Sequence, residues 1–439
     1  MTQKFTLVGS GLAGGLLAAH LGRRGYEVFL YERRPDPRAG NFVGGRSINL
    51  ALSTRGIDAL ARVGLADQVL AHAIPMRGRM IHDRNGALHF SPYDRDPRKC
   101  INSIGRAALN TTVIEAAQKF PNVRVQFNQQ CTRVDLEAGA AEFVDTATSQ
   151  KTSVTHDAVI GVDGAFSAVR RSMKEQLSGF VESESYLDHG YKELTIPPDE
   201  KGNWRMEKHA LHIWPRGNFM MIALPNLDGS FTATLFWPFE GPNSFAALRS
   251  EGDVLNFFRE QFPDAVSLIP ALAEEFLANP TGSLVTIRCR PWHTGRVVLV
   301  GDACHAVVPF LGQGMNAAFE DCTVLNRCLA EEHWEWAKAF GRYEMLRKEH
   351  ADALADLCVA NFVEMRDHVA STRFLLQKKL AILLHALLPR WYLPLYTMIE
   401  FTRIPYADAV RRARAQAYTI AAGLAILLAG TLVLLWWLW

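Results

Sequence analysis

Phe5-Thr-Leu-Val8, followed directly by Gly9-Ser-Gly11-Leu-Ala-Gly14, is the stretch that decides the fold. An apolar run, a Gly-x-Gly-x-x-Gly turn and a helical pattern from Leu16 to Arg24 open a βαβ unit built to bind a dinucleotide. In such a turn the first glycine bends the chain, the second lets a pyrophosphate reach the backbone, and the third lets helix and strand pack closely. The free N–H groups and positive dipole end of the helix then face the phosphates. A second apolar run, Glu27-Val-Phe-Leu-Tyr31, ends at Glu32, roughly twenty residues past the turn. An acid there binds a ribose 2′-OH, so the adenosine end of FAD or NAD fits and a 2′-phosphate does not. The alternative is a chance glycine-rich turn, which leaves the register of strand, helix, second strand and acid unexplained.

The chain has 439 residues, enough for two or three packed units with a substantial core. It is 49% hydrophobic and 21% charged, which excludes a disordered chain. A net charge of +2 gives no electrostatic case for nucleic acid. Seven cysteines are scattered, none forms a C-x-x-C pair, and the odd count argues against a disulfide framework, so a reducing compartment is the simplest reading. The chain opens directly on a strand, and no signal peptide is expected.

Beyond the first βαβ, Gly44-Gly45-Arg46 reads as a loop leading to an extended segment at Ala51, and Thr54 begins a helix. Arg106 begins another helix that runs to Lys119, and Val123–Phe127 and Ala158–Val162 read as strands. Short strands predominate from Tyr186 to Phe239, as expected for an antiparallel sheet. Val297–Val300 returns to a buried strand, and the pattern is almost entirely helical from Ala317 onward. The expected class is α/β: a Rossmann-like dinucleotide-binding domain (1–70, 97–185, 286–367), for FAD or NAD, with an inserted antiparallel β-sheet domain (71–96, 186–285) for the substrate. A C-terminal helical region (368–414) and one transmembrane helix (415–439) complete the division. The last segment reads TIAAGLAILLAGTLVLLWWLW from Thr419, long enough for the ~30 Å hydrocarbon core of a bilayer. Arg411, Arg412 and Arg414 precede it and three tryptophans lie near its end, so the rest of the chain is expected on the cytoplasmic side. A buried core helix is the alternative.

Two further strand ends carry the same kind of signal. The strand at 158–162 ends in Asp163-Gly164, and that at 297–300 ends in Gly301-Asp302, followed by Gly312-Gln-Gly314-Met315-Asn316 and a helix. A carboxylate at a strand end accepts bonds from sugar or ribityl hydroxyls. The glycine turn offers backbone N–H groups where negative charge develops on a reduced flavin. Each pair alone is more often a plain turn.

The order Gly9-x-Gly11-x-x-Gly14, Asp163-Gly164, Gly301-Asp302 resembles the FAD-dependent aromatic hydroxylases, the single-component flavoprotein monooxygenases. Longer stretches narrow the resemblance to the branch that acts on L-kynurenine. They are Arg46-Ser-Ile-Asn-Leu-Ala-Leu-Ser, Ile74-Pro-Met-Arg, Arg79-Met-Ile-His, His189-Gly-Tyr-x-Glu-Leu-Thr-Ile-Pro-Pro, His212-Ile-Trp-Pro-Arg and Pro394-Leu-Tyr-Thr-Met398. The resemblance implies that NADPH reduces the flavin, that O₂ then forms a flavin hydroperoxide, and that an OH passes to the ring. The cofactor supplies that chemistry, so no catalytic acid–base pair and no metal are expected. One Gly-x-Gly-x-x-Gly leaves NADPH a transient co-substrate.

The resemblance further assigns Arg79 and Tyr93 to the substrate carboxylate, Asn361 and Tyr396 to other polar contacts, and Phe236 and Phe310 to ring packing. Asn361, Glu364 and Met365 lie at i, i+3 and i+4, on one helix face. On the FAD side it assigns Ala13, Tyr31, Glu32, Arg33, Arg34, Ala51, Arg106, Cys131 through its main chain, Asp302, Met315 and Asn316. For each, a surface ion pair, turn chemistry or routine burial is the bland alternative. A related membrane-bound FAD aromatic or polyprenyl-ring hydroxylase is the rival function. The tail favours it, and the amino-acid-binding set headed by Arg79 counts against it.

Overall fold

Lys4–Val8 lies inside a six-stranded sheet, and every strand pair but the outermost is parallel. The order is His293–Thr294, Val297–Leu299, Ala158–Gly161, Lys4–Val8, Glu27–Tyr31, Val123–Gln126. The computed structural model describes residues 3–39, 49–333, 335–368 and 372–438. Parallel strands covered on both faces need continuous apolar runs. Phe5, Leu7, Val28, Leu30, Val159, Ile160 and Val298 are accordingly all buried. Helix Leu12–Arg23 packs against helices Arg106–Gln118 and Gly314–Glu331, which is why it is apolar nearly all round. From Lys4–Val8 the chain steps to Glu27–Tyr31 on one side, while Ala158–Gly161 fills the other. The strand order reverses between them, and ligands of open α/β sheets bind at the carboxyl ends of strands beside such a reversal.

A seven-stranded sheet forms the second layer, in the order Gly282–Arg290, Val181–Ile196, Phe231–Pro238, Met220–Pro225, Ala210–Pro215, Gly78–His82, Leu88–Pro92. Sequence patterning leads to an antiparallel sheet. The observed sheet is mixed, because Ala210–Pro215 runs parallel to Gly78–His82. That pairing joins segments far apart in sequence, and parallel neighbours require a long crossover. Side chains alternate across the sheet. Trp214, Met221, Leu235 and Trp237 pack under helices Glu251–Gln261 and Leu272–Ala278, which lie beyond the strands read to Phe239 in a domain (186–285) assigned from sequence to β-sheet. The overlooked signal is the capping box of Ser250 and Asp253, followed by Val254 and Phe258 at helical spacing. Ile213, Met220 and Phe236 point the other way, onto Phe310, Leu311, Phe362 and Met398.

Two three-stranded sheets complete the β-structure, one of Gln129–Asp135, Ala140–Asp145 and Lys151–Thr155, the other of Asn49–Leu52, Ile101–Gly105 and Ile74–Met76. The Gly44-Gly45-Arg46 loop lies outside the described residues. All seven cysteines are free thiols. A single helix, Tyr406–Leu438, crosses the boundary placed at 414/415. Its first turns are core, with Tyr406 and Ala409 buried, and its apolar stretch is wholly exposed.

Buried charges tie the helices around this layer together. Asp321 accepts from His305 Nε2 at 2.5 Å and Arg347 Nε at 2.6 Å, while Arg347 and Arg55 share Glu320. Burial alone pushes the Asp321 carboxyl up, but His305 and Arg347 against it hold it below the usual range. Arg347→Met leaves Asp321 buried with half its compensation gone, an expected loss of about 3–5 kcal/mol. Urea unfolding of the variant against the parent checks this, and a change below ~1 kcal/mol would mean the network is incidental.

Candidate active site

Gly9 has φ +102°, and a Cβ there would stand 2.7 Å from the Val162 carbonyl oxygen across the strand-order reversal. Gly14 is equally constrained, since its Cβ would fall 2.0 Å from the Gly9 oxygen. Gly11 differs. It starts helix Leu12–Arg23 with no side-chain cap, and a Cβ there meets nothing within 4 Å. Two of the glycines are fixed by the fold, and the third faces open space at an uncapped helix N-terminus. Glu32 stands at the end of the next strand. Its oxygens accept from the Ser10 N–H at 2.9 Å and the Arg34 N–H at 3.0 Å, and a carboxylate with about four lone-pair positions can still take a ribose hydroxyl. These residues fit the adenosine and pyrophosphate parts of FAD.

The other candidates divide. Asp302 opens helix Asp302–His305 after Gly301, and no hydrogen bond engages its carboxylate among the described residues. Asp163 accepts from Ser167 Oγ at 2.6 Å and the Ala168 N–H at 2.7 Å, which secures helix Ala168–Gln176. Its partner Gly164 sits in the same turn at φ +82°. Tyr31 is a core residue stacked on Phe143 at 4.2 Å, and its carbonyl receives the Gly9 N–H. Burial pushes the Cys131 thiol up to about 12, so it stays protonated. Arg33, Arg34 and Arg106 are exposed, and Ala13 is half-buried.

The turn Pro309–Leu311 and the start of helix Gly314–Glu331 form a braced loop. Asn316, fully buried, donates to the carbonyls of Ala51 and Gly312 and accepts the Ser53 N–H. It therefore joins two of the predicted flavin residues by one side chain. Met315 and Gly314 lie half-buried beside it, on a helix start without a side-chain cap. Asn361 donates to the Phe310 carbonyl at 2.6 Å and touches Met365 sulfur at 3.2 Å, so its amide holds this loop in place. Phe310 stacks on Phe362 and meets Phe236 at 4.8 Å.

Arg79 enters the same region from the mixed sheet. It is 3% exposed, faces Glu364 at 3.7 Å and lies 5.0 Å over the Tyr396 ring. Burial works against its charge, yet the surrounding oxygens of Tyr396, Tyr93 and Glu364 hold the proton on. Its Nε and the Tyr93 hydroxyl are both buried without a hydrogen-bond partner. Burial pushes the Tyr93 phenol up to about 12, so it remains a donor. The Tyr93 and Tyr396 rings stack at 5.5 Å. Helix Trp336–Val363 passes at Glu364 into a π-helical turn, Glu364–His368, which aims Glu364 at Arg79 while Met365 stays in the core with Asn361. Two unsatisfied donors beside a retained positive charge have the chemistry to pair with a carboxylate.

The FAD binding domain family matches residues 2–357. A kynurenine 3-monooxygenase of Myxococcus xanthus is 49% identical over 402 residues, covering 91% of this chain and 86% of that protein. This chain belongs to the kynurenine 3-monooxygenase family. A kynurenine 3-monooxygenase of Anopheles gambiae is 46% identical, covering 92% of this chain and 83% of its own. Among solved structures, 2-methyl-3-hydroxypyridine-5-carboxylic acid oxygenase superposes with a TM-score of 0.67 at 22% identity, over 85% of this chain and 95% of that one. The p-nitrophenol 4-monooxygenase of Pseudomonas putida gives 0.68 at 18%, over 87% and 93%. At such identities the likeness concerns the fold.

Sequence reasoning missed three side chains at the core of this candidate site. Gln313 is fully buried, donates to Glu400 at 2.7 Å and Ser53 at 3.0 Å, and accepts from Tyr406. Glu400 is fully buried on helix Leu395–Phe401, and its Oε1 has no partner. Arg55 lies 4.1 Å over the Tyr406 ring. Glu400 had a legible signal, a single acid inside the apolar run Met398-Ile-Glu-Phe401. Gln313 and Arg55 had none, because each matters through long-range partners.

Proposed function

We propose that the protein hydroxylates L-kynurenine to 3-hydroxykynurenine, at the ring position ortho to the aniline nitrogen, using NADPH and O₂ with FAD as the bound cofactor. The observation that carries this reading is Arg79: a buried, charged guanidinium with an unmatched donor, next to the unmatched Tyr93 hydroxyl. A polyprenyl ring offers no anion to such a pair, whereas the α-amino-acid head of kynurenine does. FAD, when bound, supplies the redox and oxygen-transfer chemistry. Gly11 and the free helix N–H groups receive its pyrophosphate, Glu32 its ribose, and Asp302 its ribityl chain. Arg79 and Tyr93 bind the substrate carboxylate, and Glu364 takes the ammonium. Phe236 and Phe310 hold the ring against the Pro309–Asn316 loop and exclude water. Product analysis with L-kynurenine, alongside NADPH oxidation with quinones, tests the assignment. Turnover of quinones with none of kynurenine would favour the rival hydroxylase.

In this reading the parallel sheet and its helices (1–70, 97–185, 286–367) form the flavin unit, and 71–96 with 186–285 form the substrate unit. The exposed half of helix Tyr406–Leu438 anchors the protein in a membrane, with the catalytic part cytoplasmic beside Arg411, Arg412 and Arg414. Gln416 still donates to the Trp391 carbonyl, so the anchor proper begins beyond it. Removing 419–439 is expected to leave flavin content and turnover intact while moving the protein from the pellet to the supernatant on membrane fractionation. Full-length protein soluble without detergent would refute the anchor.

A further inference from the structure

Glu400 ends one hydrogen-bonded chain and faces another group it does not reach. Its Oε2 is fixed by Gln313, which belongs to the flavin loop, and its Oε1 is bare. Arg79 exerts the strongest attraction on it, followed by Arg55, yet neither forms an ion pair with it. Arg55 is already neutralised by Glu320 at 3.0 Å. The other titratable groups that act on Glu400 are Tyr93, Tyr396, Tyr406 and Cys358, all neutral acids pushed up by burial. Arg79 is thus a cation set between two carboxylates, loosely paired with Glu364 at 3.7 Å and attracting Glu400 without an ion pair. Glu364 keeps 39% of its side chain exposed, and Glu400 none.

The α-amino-acid head changes this balance. Its carboxylate claims Arg79, and its ammonium offsets Glu364. An ionised Glu400 would then stand buried beside a second carboxylate with no cation to itself, an arrangement in which one acid must take a proton. We propose that Glu400 is a positioning residue that takes up one proton when the substrate carboxylate binds at Arg79, so that the neutral acid links the occupied pocket to the flavin loop through Gln313. The step is a plain proton transfer from solvent to a carboxylate, and no bond of the substrate is altered. Burial pushes the free-state Glu400 carboxyl up to about 8, which places the exchange within a measurable range. The inference rests on the substrate carboxylate lying at Arg79.

The experiment is calorimetric binding of L-kynurenine to the oxidised holoenzyme without NADPH, in buffers of different ionisation enthalpy. Proton uptake should be near zero at about pH 6.5, where the acid is already protonated, and approach one per site at about pH 9. The dissociation constant should weaken roughly tenfold between about pH 7 and 9. Glu400→Gln, which mimics the neutral acid, should cancel the Glu400 share of the uptake and flatten that pH dependence, leaving only what the substrate amine contributes. Uptake equal in the variant and parent, or a pH-independent uptake in the parent, would overturn the proposal. The parent's pH series decides the question even where the variant fails to fold. Arg79→Ala separates the two claims. Unchanged binding in that variant refutes the carboxylate site itself, whereas weakened binding without Glu400-dependent uptake refutes only the proton.

Discussion

Gly11→Val is expected to yield a folded, colourless protein. The position starts a helix and needs no special backbone, with φ −64°, and an added Cβ meets nothing. The apoprotein core therefore has no reason to suffer. A valine would nonetheless occupy the space through which a pyrophosphate approaches the uncapped N–H groups, and it would lose both their hydrogen bonds and the helix-dipole attraction. Flavin content measured by absorbance should fall from about one per chain to near zero, with little change in circular dichroism. Gly14→Val is the contrasting control. Its Cβ would collide with the Gly9 carbonyl, so that variant should fail to fold. Normal flavin content in Gly11→Val would remove the dinucleotide site from this turn.

The parts of the fold legible in sequence are those that local chemistry dictates. The glycine turn, the apolar runs of the parallel sheet and the alternation of the second sheet all appear at the expected places. What stayed hidden depends on long-range pairing. No local pattern tells that Ala210–Pro215 will lie parallel to Gly78–His82. Asp163 looked equivalent to Asp302, since both end a strand beside a glycine. The distinction comes from Ser167 four residues later, which turns the first acid into a brace for its own helix. Asn361, expected among the polar substrate contacts, supports the Phe310 carbonyl through its amide, a role no local pattern shows. That placement bears on the proposed site, because the loop it holds carries both Phe310 and the turn proposed to face the flavin.

Arg79→Ala carries the largest expected effect on substrate. Its guanidinium is buried, retains its proton and has only the half-exposed Glu364 at 3.7 Å as an ionic partner. A carboxylate drawn from water into this pocket needs that charge, and loss of one member of a buried charge pair costs about 2–5 kcal/mol, or roughly 30- to 5000-fold in affinity. Tyr93→Phe removes a single hydroxyl, with an expected cost of about 1.5–3 kcal/mol. The two variants should also differ in stability. The Tyr93 hydroxyl is unpaired without substrate, so its removal should leave the free protein as stable as the parent or more so. Both variants should keep their flavin, because neither residue touches the Gly11, Glu32 or Asp302 cradle. A loosely held ring should also uncouple NADPH oxidation from hydroxylation, giving more hydrogen peroxide and less product per reducing equivalent. KM, coupling ratio and flavin content together decide the matter. Unchanged KM and coupling in Arg79→Ala would place the amino-acid head elsewhere and leave the two unmatched donors without a role.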